Sequence, residues 1–499
     1  MALIRFLVYS FIFTIPFGLR KEIFSFIEGF QEYETIFFYA SDVLLTLFLG
    51  FFVLRRDKFF YIKNQISKIK YQISNIKYQI NSKLQIQKII LVIFLMLAGV
   101  SIFFAYSKGL AIYNSVRLLM AVGFSWVIAW SIKEEAINLQ GICWSLGLSA
   151  VFQSFVAFLQ FIQQKSLGLW FLGESVLGAN IPGVAKITVE GGKLIRAYGT
   201  MPHSNILAAF LIVGLLALSY VWLRLSTNNE FVTNLRIKRL FSVAGIFIVI
   251  TGLILTFSRS GWIIATISII ALLVGLIIEN VKVKMKNDNE KLKIKKNLFF
   301  EHGREKTLLF ALIFILSSVA LANFLIFKDF ILARGHISKS EVSVTQRLVY
   351  NEVAWDIIKN RPLGVGIGNQ ILYSVKNGIY QNFGMNKAWQ WEPIHNIYLL
   401  IASEIGVVGG VMFVVFLLSL LITNYQLPIT KREIKFDNRG LVISRLMFIA
   451  FLAFGLVDHF LWTLWPGKLM LWLIIGMLMG VSSLNGAHSS MDRAQASEA

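Results

Sequence analysis

The chain of 499 residues is 56% hydrophobic and 14% aromatic but only 15% charged, with a mean hydropathy of +0.68. Soluble domains carry roughly 25% charged residues, so an ordinary soluble protein is excluded and lipid is the main solvent. The remaining charge is basic, +21 from 48 Lys+Arg against 27 Asp+Glu, which here marks cytoplasmic loops facing anionic lipid and argues against a nucleic-acid partner. The lone Cys143 rules out a disulfide within one chain and any cysteine-cluster metal site.

A span needs about 20 predominantly apolar residues. Stretches near 2–19, 34–54, 89–106, 110–131, 139–162, 205–223, 240–257, 260–278, 308–327, 395–422, 443–461 and 468–484 qualify. The expected fold is all-α: a polytopic membrane bundle of about twelve transmembrane helices forming a single domain over 1–484, with a large extracytoplasmic loop, 328–394, between helices 9 and 10. The first stretch contains Pro16 and is followed by Arg20, Lys21 and Glu22 without a small-residue cleavage site, which favours a helix over a signal peptide.

Lys and Arg collect in 55–88, 224–239, 279–307 and 423–442. With that span count all four fall on one side, which the positive-inside rule makes cytoplasmic, leaving 163–204 and 328–394 outside. Within the basic loop 55–88, residues 65–85 repeat QISKIKY, QISNIKY, QINSKLQ. This is either a short amphipathic helix on the inner membrane surface or a duplication in a tolerant loop. The polar tail 485–499 lacks an apolar face, resembles read-through past a natural end, and is expected to be disordered.

Charged groups deep in a bilayer are costly and default to functional hypotheses. Asp42, Arg117, Glu404 and Asp458 are the candidates, each read as pairing, capping or snorkelling. Most other ionisable residues cluster at span ends and in the two large outer loops, which suits a site at the outer membrane–water boundary.

The first constellation there is Arg196-Ala-Tyr-Gly-Thr-Met-Pro-His-Ser-Asn205, running into the apolar stretch 206–221, with Pro202 and Ser204 suited to a helix start. Arg196 is either a phosphate-binding guanidinium, whose fork holds two oxygens, or a snorkelling arginine. The second is Leu255-Thr-Phe-Ser-Arg-Ser-Gly-Trp262, a break between apolar runs that brings Arg259 out on the same face. The outer segment holds an amphipathic helix over 341–360, with Val349, Val353 and Ile357 at helical spacing and Arg347 near its start. Pro362-Leu-Gly-Val-Gly-Ile-Gly-Asn369 follows. Its glycines permit close approach to phosphate, but without a strand–turn–helix unit it reads as a compact turn.

Last comes Trp389-Gln-Trp-Glu-Pro-Ile-His-Asn-Ile-Tyr-Leu399, before a span containing Glu404. His395 is expected in the first turn of that helix, where the dipole disfavours imidazolium and leaves a neutral ring able to accept a proton; a structural histidine is the competing reading. The six His are scattered, and HExxH, Walker-type and Gly-x-Ser-x-Gly motifs are missing. Neither metal nor cofactor is expected.

Taken together, Arg-x-x-Gly-Thr-x-x-His-x-Asn, Thr-x-Ser-Arg-Ser-Gly-Trp, Pro-Leu-Gly-Val-Gly-x-Gly-Asn and His-Asn-x-Tyr-Leu before Glu-x-Gly resemble the O-antigen ligase and polymerase family, most strongly from about 196 to 410. The resemblance implies a metal-independent, inverting glycosyltransferase of the bacterial inner membrane, active at the outer face. Its donor would be an undecaprenyl-diphosphate-linked oligosaccharide and its acceptor a hydroxyl on a glycan, lipid or protein. Carried over, Arg196, Arg259 and the more loosely placed Arg347 bind the diphosphate, His395 activates the acceptor, and His203, Asn205, Asn396 and Glu404 support them. Ser204 stands where the family commonly has proline, and is expected to cap the helix. A solute transporter or a non-catalytic envelope scaffold are the alternatives. A transporter should show paired broken helices, and the sequence has no such pairing.

Overall fold

The computed structural model describes residues 2–26, 32–50, 77–189, 192–227, 233–289, 295–335, 342–422 and 438–497. Most of the basic repeat loop, residues 51–76, lies outside them, as do 423–437. The helices are α1 (Ala2–Thr14), α2 (Ala40–Gly50), α3 (Lys77–Val100), α4 (Lys108–Lys133), α5 (Leu139–Gln163), α6 (Ser204–Thr227), α7 (Thr233–Leu255), α8 (Arg259–Asn289) and α9 (Lys295–Gly335). There follow α10 (Val342–Asn360), α11 (Gln370–Lys376), α12 (Ile379–Asn382), α13 (Ile397–Ile405), α14 (Val407–Ile422), α15 (Asn438–Gly455), α16 (Phe460–Thr463) and α17 (Trp465–Ser497). Among the described residues seven helices are long and apolar enough to cross a membrane, and four shorter apolar ones lie at Arg5–Thr14, Ala40–Gly50, Ile86–Val100 and Val407–Ile422. The protein is thus a polytopic helical membrane protein.

Helix α6 is the axis of the bundle. Its spanning segment is wholly buried, packed by α5, α7, α8 and α15. Close crossings are made by small residues: a Cβ on Gly214 would lie 2.2 Å from Ala150 Cβ, and one on Gly252 would lie 2.4 Å from Ser154 Oγ. Small residues let helix backbones approach where lipid supplies no hydrophobic drive between helices.

Five features depart from expectation. The apolar stretch from 34 does not open as helix: β2 (Thr35–Tyr39) pairs antiparallel with β1 (Arg20–Ser25). Thr-Ile-Phe-Phe-Tyr is β-branched and aromatic, and Phe37 and Tyr39 are buried while Phe38 is exposed, the period of a strand. A second hairpin, β3 (Lys186–Val189) with β4 (Gly192–Ile195), lies in the segment 163–204. The stretch 395–422 is broken at Gly406 (φ +90), where a Cβ would sit 2.8 Å from Pro362 O. Helix α9 bends at Phe327 and continues to Gly335, so Arg334 stands on a helix. Beyond the last expected span, α17 continues to Ser497, where composition suggested disorder; no proline interrupts it.

Alternation of the helices brings one set of ends together: the starts of α4, α6, α8, α13 and α17 and the ends of α1, α3, α5, α7, α9 and α15. All of the motif loops are at this end.

Candidate active site

The loop 196–203 is held by α5. Gln160 Oε1 accepts from Tyr198 N (3.0 Å) and Gly199 N (2.9 Å), and its Nε2 donates to Gly199 O (2.8 Å). One heptad earlier, Gln153 accepts from Thr200 N and donates to Thr200 Oγ1, at 2.8 and 2.7 Å. Gly199 has φ +61, and a Cβ there would lie 2.4 Å from Gln153 Oε1, which is why glycine occupies that place in the motif. The loop ends at α6, whose start is capped by an imidazole: Asn205 N donates to His203 Nδ1 at 3.1 Å. Ser204 does not cap; its Oγ is buried without a hydrogen-bond partner.

This clamp fixes Arg196. Its Nε donates to Thr256 O (2.7 Å) and its Nη2 to Asn205 Oδ1 (2.8 Å), leaving three N–H groups of the guanidinium beyond these contacts. The snorkelling alternative fails, because the side chain is buried and locked between two motifs. Asn205 Oδ1 also accepts from Ser258 Oγ at 2.9 Å, and Ser258 caps α8 by accepting from Gly261 N at 3.2 Å. Arg259 is the first residue of that helix. Arg334, from the end of α9, donates to Phe257 O at 3.3 Å. Burial, together with repulsion from Arg334, Arg347 and Arg259, lowers the Arg196 pKa to about 9. Four arginines therefore share one neighbourhood, three from the motifs and one that the motifs lack.

On its other side Asn205 donates through Nδ2 to Asp458 Oδ2 at 3.4 Å. Asp458 follows α15 and is buried; its Oδ1 accepts from His459 N at 2.9 Å. Burial pushes the Asp458 carboxyl up, but His459, His395, His203 and Arg347 outweigh it and hold the pKa below the usual carboxylate range. His459 meets His395 edge to face at 4.8 Å and Tyr33 at 5.4 Å. Burial lowers both His203 and His459 to about 3, aided by Arg196 for the first and His395 for the second, against the opposing pull of Asp458. Three of the six scattered histidines thus converge.

His395 lies one residue before the cap of α13, not within its first turn: Asn396 is the cap, accepting from Tyr398 N and Leu399 N at 3.0 and 3.2 Å. Its ring stacks on Tyr350 of α10 (5.0 Å, 9°). Nδ1 lies 2.8 Å from Pro393 O, a pure acceptor, so Nδ1 carries a proton and Nε2 is the ring nitrogen that faces Glu392. The loop carrying it is pinned by Tyr350 OH donating to Gln390 O (2.8 Å) and Tyr380 OH to Glu392 O (2.7 Å). Glu392 Oε2 is 3.5 Å from His395 Nε2; its side chain is 48% exposed against 15% for the imidazole.

The glycine loop is not a phosphate cradle. Gly364, Val365, Gly366, Ile367 and Asn369 donate their N–H groups to Arg361 O, Ser403 O, Glu404 O, Ser101 Oγ and Gly366 O. Gly368 and Gln370 give theirs to the Glu404 carboxylate, which also accepts from Trp462 Nε1 at 2.8 Å. Glu404 therefore acts by fixing this loop. Asp42 and Arg117 form a buried ion pair, with Phe37 O accepting from Arg117 at 2.7 Å, in line with the pairing reading.

Arg196, Arg259, Arg347, His203, Asn205 and His395 are brought together as the motifs suggested, while Arg334, His459, Tyr33 and Tyr350 were not anticipated. Asp458 was singled out only as a buried charge, although its pairing with His459 at a span end was the available signal. No curated protein matches the chain. Residues 244–414, which carry Arg259, Arg347, His395 and Glu404, match the family model described as O-antigen ligase, which denotes membrane glycan transfer in surface polysaccharide biosynthesis. Over that segment the chain is similar to the O-antigen ligase family.

Proposed function

We propose that the protein transfers a glycan from an undecaprenyl-diphosphate-linked donor to an acceptor hydroxyl, with inversion at the anomeric carbon, at the outer face of the bacterial cytoplasmic membrane. The observation that carries this is the repulsion that Arg334, Arg347 and Arg259 exert on buried Arg196, beside a histidine whose Nδ1 is held by Pro393 O. An anion relieves that repulsion, and planar guanidinium forks suit the oxygens of a diphosphate. The diphosphate, held by the arginines, departs as an anion and requires no acid. His395 removes the acceptor proton as the new bond forms, and Asp458, within electrostatic range, stabilises the resulting imidazolium. The Lys- and Arg-rich segments of the sequence support the outer-face placement, and neither nucleotide nor metal enters the scheme.

Binding of undecaprenyl diphosphate to the purified protein tests it. Arg259→Ala should weaken binding by about 2–5 kcal/mol, the typical loss for one partner of a desolvated charged contact, and Arg259→Lys should also weaken it because an ammonium lacks the fork. Undiminished binding by a well-folded Arg259→Ala protein would remove the arginine from the donor site.

A further inference from the structure

Helices α3 and α14 are antiparallel neighbours. Gln87 Nε2 donates to Ser419 O at 2.9 Å, and the rings of Phe94 and Phe413 lie 5.3 Å apart. Each helix turns an apolar stripe away from the bundle. On α3 the exposed residues are Ile86, Ile89, Ile93, Met96 and Val100; on α14 they are Val408, Val411, Val415, Leu418 and Ile422. Both sets advance by three and four residues, the spacing of one helix face, so both stripes face lipid. By Phe103 the first has climbed about 25 Å from Ile86 at about 1.5 Å per residue, most of a hydrocarbon layer of about 30 Å.

The stripes end side by side, at the end of the bundle that carries the motif loops. There Phe103, Phe104 and Tyr106 follow α3 and Leu363 precedes α14, each at least half exposed. Backbone contacts fix this corner: Tyr106 N donates to Val365 O (3.1 Å), Ser107 N to Asn369 Oδ1 (2.7 Å) and Val407 N to Pro362 O (3.0 Å).

Positive charge borders the aromatic residues. The Tyr106 ring meets that of Tyr373 at 5.9 Å, and the Arg361 guanidinium lies 5.8 Å from the Tyr373 centroid, its Nε donating to Tyr373 OH at 3.3 Å. Lys108 is two residues beyond Tyr106, and Lys376 is one turn along α11 from Tyr373; both are exposed, as is Arg361. Among the described residues neither Lys108 nor Arg361 is in an ion pair. The acids of the adjoining α10 end are Glu352 and Asp356, and Asp356 Oδ1 already accepts from Asn360 at 3.1 Å. Apolar stripe, aromatic residues and then cations follow the order of a bilayer from its core to its phosphates. A soluble partner would match only the last of these layers.

We propose that this corner is a docking surface for anionic phospholipid in the leaflet on the motif side. The acyl chains lie along the α3 and α14 stripes, the glycerol level meets Phe103, Phe104 and Tyr106, and the phosphodiester meets Arg361 and Lys108. Because Tyr106 is bonded to Val365, a lipid held there braces the glycine loop from its membrane side. None of the four arginines of the donor site takes part, so the assignment stands apart from the transfer reading.

Contact quenching tests it in the full-length protein. Leu363→Cys in a Cys143→Ser background carries a bimane fluorophore; Cys143 is buried and takes up little label. Nanodiscs contain phosphatidylglycerol and phosphatidylcholine in equal parts, with bromine near the top of the acyl chains of one lipid or the other. Brominated phosphatidylglycerol should quench at least about twofold more strongly, since basic residues at the membrane surface enrich anionic lipid. Phe155→Cys, exposed on α5, is the control and should be quenched equally by both. Arg361→Gln and Lys108→Gln should each narrow the preference at 363 and together abolish it. Equal quenching at 363, the same preference at 155, or a preference that survives both substitutions would each overturn the assignment. So would an absence of quenching at 363 by either lipid, which would place the corner clear of the bilayer. Loss of the preference on adding a few mole per cent of undecaprenyl diphosphate would give the surface to the donor and overturn it too.

Discussion

The imidazoles of His395 and His459 meet edge to face, with centroids 4.8 Å apart and planes at 85°. One ring arrives from the loop before α13 and the other from the loop after α15, and each is held by a different partner: Pro393 O for His395 and Thr463 Oγ1 for His459. Asp458 lies behind them and reaches, through Asn205, the arginine that grips the other end of the site. A series of contacts thus runs from the proposed base to the proposed phosphate clamp, through the His459 backbone N–H, Asp458 and Asn205.

His203 and His459 give the protein an acid sensitivity of definite sign. Burial lowers both from 6.5 to about 3, so between those values the unfolded chain binds more protons than the folded one. Stability is then full above about pH 6.5 and falls as the pH drops towards 3. His459→Gln keeps a polar side chain but removes one titration. The difference in unfolding temperature between pH 7.5 and pH 5 should be smaller in this variant than in the wild type, measured in the same detergent. An unchanged difference would mean that His459 is not held neutral.

Glu34 should act in the opposite direction. Its carboxylate is buried at the tip of the first hairpin with neither oxygen hydrogen-bonded, and burial, only partly opposed by Lys376, raises its pKa from 4.5 to about 7. The folded state therefore keeps a proton that the unfolded chain loses above 4.5. Stability is full below 4.5 and declines as the pH rises through about 7. Glu34→Gln should match the wild type near pH 4.5 and exceed it at pH 8. A variant that is less stable than the wild type at pH 8 would contradict the unpaired, protonated carboxyl.

Gly366 separates the two readings of the glycine loop. A Cβ there would lie 2.3 Å from Ala105 Cβ, at φ +94, where side chains are strained in any case. Gly366→Ala should cost stability by about 1–3 kcal/mol or more through overpacking and backbone strain. Whatever folded protein remains should bind undecaprenyl diphosphate as the wild type does, because the loop's N–H groups are spent inside the protein. A stable variant with selectively weakened donor binding would restore the phosphate-cradle reading.

How much of this was written in the sequence depends on distance along the chain. Helix starts at Ser204 and Arg259 were legible because local residues determine them: Ser258 caps α8 three residues ahead of Gly261. The amphipathic helix α10 was legible from the spacing of Val353 and Ile357, both buried. The β1–β2 hairpin was not, since the aromatic run 35–39 is as apolar as a span and only its burial alternation reveals a strand. Arg334 was passed over as one basic residue among several in a long loop. Its role depends on α9 continuing past Phe327 to meet Phe257 O, a contact 77 residues away. Asp458 and His459 join the site across 253 and 64 positions, to Asn205 and His395, and no local pattern encodes such a pairing.

The assignment of the base turns on two side chains three residues apart. Glu392 Oε2 and His395 Nε2 are 3.5 Å from each other, so either can reach the same proton. The structure favours the histidine on two grounds. Its Nδ1–H is committed to Pro393 O, which leaves Nε2 as the nitrogen that can exchange the acceptor proton, and its ring is immobilised against Tyr350. Burial raises the Glu392 pKa, against the opposing pull of His395, but its side chain is about half exposed and no contact fixes its carboxylate as Pro393 and Tyr350 fix the ring. General-base catalysis contributes about 10²–10⁴-fold. His395→Ala and His395→Gln should both lose transfer by that factor in a reconstituted assay while keeping undecaprenyl diphosphate binding, since none of the four arginines is touched. Glu392→Gln removes the negative charge beside the ring and should reduce transfer far less, about tenfold or under for a partly exposed charge. If Glu392→Gln is inactive while His395→Ala turns over near the wild-type rate, the roles are reversed and the histidine serves only to position the glutamate.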